Sequence, residues 1–241
     1  MRTLIRFFVT GSCLALIPCL PASTLQLNFG AAASLTGWND ITTAIGSSPT
    51  GTLANLVDST GAATDVSFAM NARFNGTNTN GPTTGNHSFG IPDAVIASSL
   101  YGNSVTFNNA IAENPTFTLS GLDQDLAYTF VVYASRMSVG DDRSGTYTAT
   151  GLNTVSGVLN ASGNTSLTLT LLNVRPDASG NIVFDITQTE GVNNNTYRFT
   201  YLNALTLSGS SVIPEPSAAA ALTGGVTLLL AGVHRHRRMR N

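Results

Sequence analysis

The chain has 241 residues, of which 42% are hydrophobic and only 10% charged, with a formal net charge of −2. It contains no lysine, and so sparse a cationic surface excludes nucleic acid from the expected partners. Both cysteines, Cys13 and Cys19, fall in the first twenty residues, so the rest of the chain carries neither a disulfide framework nor thiol chemistry.

The first element is a leader. Arg2 and Arg6 make a positive start, Phe7 to Ile17 is apolar apart from Thr10, Gly11 and Ser12, and Pro18 to Ser23 supplies a cleavage zone. Residues 1–23 therefore read as a secretory signal peptide. A lipoprotein reading on Cys19 is disfavoured by Pro18 directly before it, and an uncleaved anchor by the short apolar core.

Residues 24–211 follow as an ectodomain whose size suits one all-β core. Five arginines (Arg73, Arg136, Arg143, Arg175, Arg198) stand against twelve carboxylates there, a net charge of −7. Alternating or β-rich runs predict strands at Leu25–Phe29, Val105–Phe107, Thr116–Leu119, Leu126–Ala134, Ser144–Thr150, Ser166–Leu172, Ile182–Thr187 and Arg198–Leu207. Turn chemistry separates them at Ser120-Gly121, Ser138 to Asp141 and Asp177 to Asn181. Short strands at this spacing, with no amphipathic helix among them, predict a single β-sandwich in jelly-roll order. Gly76 to His87 is rich in Asn, Thr and Gly and reads as a mobile surface excursion.

Groups able to do chemistry are few. His87 is the ectodomain's one histidine and reads as a solvated loop residue; no Gly-x-Ser-x-Gly elbow accompanies it. Asp123 and Asp125 flank Gln124 in a turn, where aspartate is favoured in any case. A hydrolase acting through paired carboxylates would need two of them ~5–10 Å apart across one sugar. Asp141, Asp142 and Arg143 form a second polar turn, read either as an ion pair with Arg143 or Arg136 or as a loop that contacts sugar or calcium. Calcium takes about six to eight oxygens, and no spaced Asp-x-Asp-x-Asp-Gly loop occurs, so no cofactor is expected beyond that one structural option. Trp38, the single tryptophan, is either a core anchor or an exposed stacking face for a sugar ring, with Asn39 and Asp40 beside it to meet hydroxyl groups. Tyr101 and Asn103 are a weaker candidate pair.

The order Leu27-Asn28-Phe29-Gly30, Gly37-Trp38-Asn39, Ser135-Arg136, Asp142-Arg143 and Tyr147 continues through Leu159-Asn160-Ala161 and Val174-Arg175-Pro176-Asp177. It closes on Gly180-Asn181-Ile182 and Tyr201-Leu202-Asn203-Ala204-Leu205. This series resembles the galactose-binding-like β-sandwich modules found beside carbohydrate esterases. The resemblance implies a module that binds a glycan or supports a neighbouring domain, and it fixes no binding residue.

The end of the chain has three parts. Pro214-Glu215-Pro216 opens a motif over residues 212–217; residues 218–233 are uncharged; residues 234–241 hold Arg235, Arg237, Arg238 and Arg240. Counted from Ser217 to Val233, the uncharged run at ~1.5 Å per residue is ~25 Å long, slightly under the ~30 Å hydrocarbon core, so residues 218–233 read as a marginal transmembrane helix. The arginines after it favour a cytoplasmic tail, with everything upstream outside. Two prolines keep Glu215 on an extended, accessible segment. Motif, span and basic stop in this order resemble the PEP-CTERM sorting signal of Gram-negative bacteria. That resemblance implies processing by an exosortase and a mature protein at the cell surface or in exopolysaccharide. The sequence thus predicts an exported, non-enzymatic surface or matrix protein with weak carbohydrate binding or a structural role. The alternatives are an adhesive protein without a sugar site and a carboxylate-based carbohydrate hydrolase.

Overall fold

In the first strand Leu25, Leu27 and Phe29 alternate with neighbours of higher polarity, and all three are buried. The same period of two recurs down the chain and sets the architecture. The structure is a computed structural model describing residues 24–211; the expected leader, sorting motif, span and basic tail lie outside them. In chain order the elements are β1 (Thr24–Phe29), β2 (Asn39–Ile41), α1 (Thr43–Gly46), β3 (Thr52–Leu53), β4 (Ser67–Ala72), β5 (Gly76–Asn78) and α2 (Asp93–Ile96). Next come β6 (Ser99–Phe107), β7 (Ala110–Ala112), β8 (Thr116–Ser120), β9 (Leu126–Tyr133), β10 (Ser144–Thr150) and β11 (Thr154–Asn160). The last are β12 (Leu169–Val174), β13 (Ile182–Gln188), β14 (Phe199–Leu202) and β15 (Ala204–Ser211).

These strands form a five-stranded sheet in the order β12-β9-β15-β1-β2 and a six-stranded sheet in the order β11-β10-β13-β8-β4-β3. A smaller sheet, β14-β6-β5 with β7 on β6, sits at one end. Pairing is antiparallel throughout except between β1 and β2. The two large sheets meet through phenylalanine rings. Phe29 of the first lies 5.4 Å from Phe117 and 6.2 Å from Phe68 of the second, and Phe130 lies 5.8 Å from Phe184. Each fully buried ring of this kind stabilises the fold by about 1.5–3 kcal/mol. The chain is therefore a β-sandwich, with no disulfide among the described residues.

Registers define two poles. Ser211 pairs with Leu126 and Thr24 with Ser208, so both ends of the described chain leave at one pole. Ala204 pairs with Tyr133 at the other, where Asn203 fixes the small sheet. Asn203 is fully buried; its Oδ1 accepts from the Ser135 amide at 2.7 Å, and its Nδ2 donates to the Ile96 and Ser98 carbonyls at 2.9 and 2.8 Å.

Several expectations are corrected. The single strand expected over 198–207 is two, broken at Asn203, and β12 begins at Leu169 rather than Ser166. Gly76 to His87 is tied down rather than free: β5 pairs with β6, Met137 N–H donates to the Asn80 carbonyl at 2.7 Å, and Gly81 is buried. His87 is not solvated either, since its side chain is 6% exposed and bonded to Asp93 at 2.8 Å. Among the described residues no helix is long and apolar enough to cross a membrane.

Candidate functional site

The small sheet and the β9–β10 loop enclose a cleft of about 390 Å³. Its floor comes from three adjacent strands: Thr77 and Asn78 of β5, Tyr101 and Phe107 of β6, Phe199 and Tyr201 of β14. Tyr101 and Tyr201 are direct register partners, which sets the two phenol-bearing rings side by side. Their neighbours stand edge-on, Tyr101 to Phe199 at 5.4 Å and Phe107 to Phe199 at 5.0 Å, the geometry that aromatic quadrupoles favour. Asn108 closes the rim from the β6–β7 turn, where Asn108 and Asn109 both hold positive φ, at 49° and 60°. Asparagine tolerates that backbone region better than most side chains, and an Asn-Asn pair suits a primed two-residue hairpin.

Two arginines overhang this floor, Arg136 and Arg143. Arg143 is held on every side. Its Nε and Nη2 donate to the two Asp141 oxygens at 2.9 and 3.3 Å, Nη1 donates to the Tyr201 hydroxyl, and its carbon lies 5.6 Å from the Phe199 ring centre and 5.7 Å from that of Tyr201. Burial pushes the Asp141 carboxyl up, but bonds from Arg143 and Asn195 outweigh it and leave the group below its ordinary value. Burial also pushes the Tyr201 phenol up, against the opposing charges of Arg143 and Arg136, so it stays a neutral hydroxyl. Beneath it the fully buried Tyr147 hydroxyl donates to the Tyr201 carbonyl at 2.6 Å.

Arg136 is different. Among the described residues no carboxylate lies within ion-pair distance of it. Its Nη1 donates to the Met137 carbonyl, while its Nε is buried without a partner. The loop Asn193 to Asn195 secures the arrangement from behind: Asn193 Nδ2 donates to the Ser144 and Phe199 carbonyls, and Asn195 donates to Asp141 while its Oδ1 accepts from the Tyr197 and Phe199 amides.

The candidates named from sequence fall in different places. Arg136 and Arg143 come together in the cleft with Tyr101, and Asp141 stands behind Arg143. Asp142 serves the backbone, accepting from the Ser144 amide and from Asn160 Nδ2, both at 2.8 Å. All four carboxylate oxygens of Asp141 and Asp142 thus already accept a donor, which works against calcium there. Trp38 is 9% exposed and packs in a second cluster with Phe89, Val95, Ile96 and Tyr133, so it offers no stacking face. Asn39 bridges the Gln26 and Val57 backbone, and Asp40 accepts from Asn28, Ala33 and Ser34; both hold loops together. Asn103 is buried and bonded to Asn75, Val105 and Ala110 below the cleft. Asp123 caps its own turn by accepting from the Asp125 amide. It lies before β9 and Asp142 after it, and the eight residues of that strand separate its ends by ~23 Å at ~3.3 Å each. Those carboxylates cannot flank one glycosidic bond.

Thr77, Asn78, Phe107, Asn108, Phe199 and Tyr201 were not anticipated. The one available signal was the density of rings in Tyr197-Arg198-Phe199-Thr200-Tyr201, in a chain that is 7% aromatic.

No protein-family model matches this chain, and no curated protein matches it. Among solved structures, the ANXUR1 extracellular domain from Arabidopsis thaliana is similar at 12% identity with a TM-score of 0.45, over 78% of this chain and 49% of that one. The chain thus spans about half the length of that structure, and nothing of that protein's role transfers at such a level.

Proposed function

We propose that this is an exported, non-enzymatic β-sandwich that binds carbohydrate weakly in the cleft between β5, β6, β14 and the β9–β10 loop. The observation that carries the reading is the lining itself: the partly exposed rings of Tyr101 and Phe107, backed by buried Phe199 and Tyr201, under two guanidinium groups, with Thr77, Asn78 and Asn108 at the rim. Sugars offer apolar C–H faces to rings and hydroxyl groups to planar polar side chains, and this set supplies both. A chain of sugars suits it better than one unit. Thr79, Asn80, Met137 and Ser138, next in sequence to cleft residues, line a further hollow of about 300 Å³.

Jelly-roll order is part of the proposal, and the crossings between sheets at β8–β9, β9–β10, β11–β12 and β12–β13 support it. Export, exosortase processing and a place in extracellular polysaccharide rest on the leader and the three-part tail. The non-enzymatic reading is supported by the separation of the Asp123 and Asp142 turns. Titration of the full chain in detergent with neutral and acidic oligosaccharides, followed by Tyr101→Ala with its unfolding midpoint recorded, tests the site. Binding in the millimolar range or tighter that Tyr101→Ala removes without unfolding the domain is the expected result; no binding to any glycan ends the reading.

The adhesive alternative has one observation in its favour. Leu152, Val158, Leu167 and Leu172, on or beside the neighbouring strands β11 and β12, are each more than half exposed. Exposed apolar groups gathered in this way invite association with further chains, and sedimentation of the full chain would reveal it.

A further inference from the structure

We propose that the cleft selects a glycan carrying a carboxylate, a uronic-acid unit, and that Arg136 is the residue that receives the acid. This deepens the carbohydrate reading and rests on it. The cleft lining contains two guanidinium groups and no carboxylate. Of the two, Arg143 is already matched: Asp141 takes it in a two-point grip and the Tyr201 hydroxyl takes a third donor. Its role is to hold the ring wall in place. Arg136 has its positive charge uncompensated by any described carboxylate, its bonds going to the Met137 carbonyl and the Tyr201 hydroxyl, which are neutral. A guanidinium without a counter-charge makes bonds to an incoming carboxylate that are about twice as strong as those to a neutral group. The guanidinium fork matches a planar carboxylate in two parallel bonds, a geometry that a neutral hydroxyl cannot reproduce.

Charge elsewhere sharpens the point. The described residues carry twelve carboxylates against five arginines, so the domain as a whole repels an acidic polymer. One uncompensated arginine in a ring-lined cleft of such a surface is a local feature that bulk composition opposes.

The test compares uronic-acid oligosaccharides (glucuronate, galacturonate and mannuronate series) with their own methyl esters by calorimetric titration of the full chain in detergent. Esterification keeps the sugar ring and removes the charge while adding one methyl group, so the unaltered protein already answers the question. The expected outcome is that at least one acid binds and its ester binds about ten- to a hundredfold more weakly, the range set by a charge-assisted bond. Arg136→Gln should abolish the preference for acid over ester, with Arg136→Lys intermediate and the unfolding midpoint recorded for both. Equal binding of acid and ester overturns the inference and leaves the carbohydrate reading standing. Binding of sulfated oligosaccharides alone overturns the carboxylate assignment. Absence of binding to every glycan overturns both.

Discussion

Asn203 joins three separate pieces of backbone through one side chain, and its loss would strand all three. With the Ser135 amide and the Ile96 and Ser98 carbonyls left buried and unpaired, Asn203→Ala is expected to destabilise the domain by about 3 kcal/mol or more. Urea denaturation measures this, and a loss below about 1 kcal/mol would mean that water replaces the side chain. Asp185 works in the opposite sense. Burial on β13 pushes its carboxyl above the ordinary 3.8. A carboxyl raised in the folded state favours folding when protonated, and that advantage is lost as pH rises through the folded value. Asp185→Asn is therefore expected to raise Tm by on the order of a few degrees at pH 7 and to leave it unchanged near pH 3. Asp141 has the reverse sign: its value is lowered, so its contribution is present above 3.8 and fades as pH falls through the folded value. Sequence reasoning reached Arg136 and Arg143 because charge is scarce in this chain and each instance stands out. It could not reach Phe199 or Asn78, because alternation says which face a residue occupies but not which strand end it meets. Trp38 illustrates the same gap: residue type allows both a core and a platform, and only packing against Phe89 and Tyr133 decides.

At the scale of elements, the approach of the segment after β5 to α2 is the tightest fit. A Cβ on Gly81 would come within 2.0 Å of the Ile96 carbonyl oxygen, and that oxygen is itself held by Asn203. The carbonyl cannot move away without breaking the Asn203 junction. Gly81→Ala is accordingly expected to cost about 1–3 kcal/mol and to open the hollow beside Asn80, read as a lower Tm together with faster amide exchange at Met137. Strands with strict alternation, such as β1, β8, β10 and β13, were legible from sequence. Those that were missed carry weak patterns: β11 reads Thr-Val-Ser-Gly-Val-Leu-Asn, and β5 has only three polar or glycine residues. Their pairing is imposed by neighbours, as β5 is by β6 and β11 by β10, which local sequence does not encode.

For the molecule as a whole, the tail reading makes a separate prediction. If Pro214-Glu215-Pro216 is a processing signal, mass spectrometry of the mature protein should find a new C-terminus near residues 214–217, while a chain retaining Arg235 to Arg240 contradicts it. That pole arrangement also bears on mechanics. A domain tethered through Ser211 and gripping polysaccharide beyond Tyr133 would be pulled lengthwise, straining the eight rungs between β9 and β15 side by side. A pull between Thr24 and Ser211 would instead part β1 from β15 like a zipper, one rung after another. One sheet thus offers a tough direction and a weak one, and the tough direction is the line that the proposed tether and cargo would load.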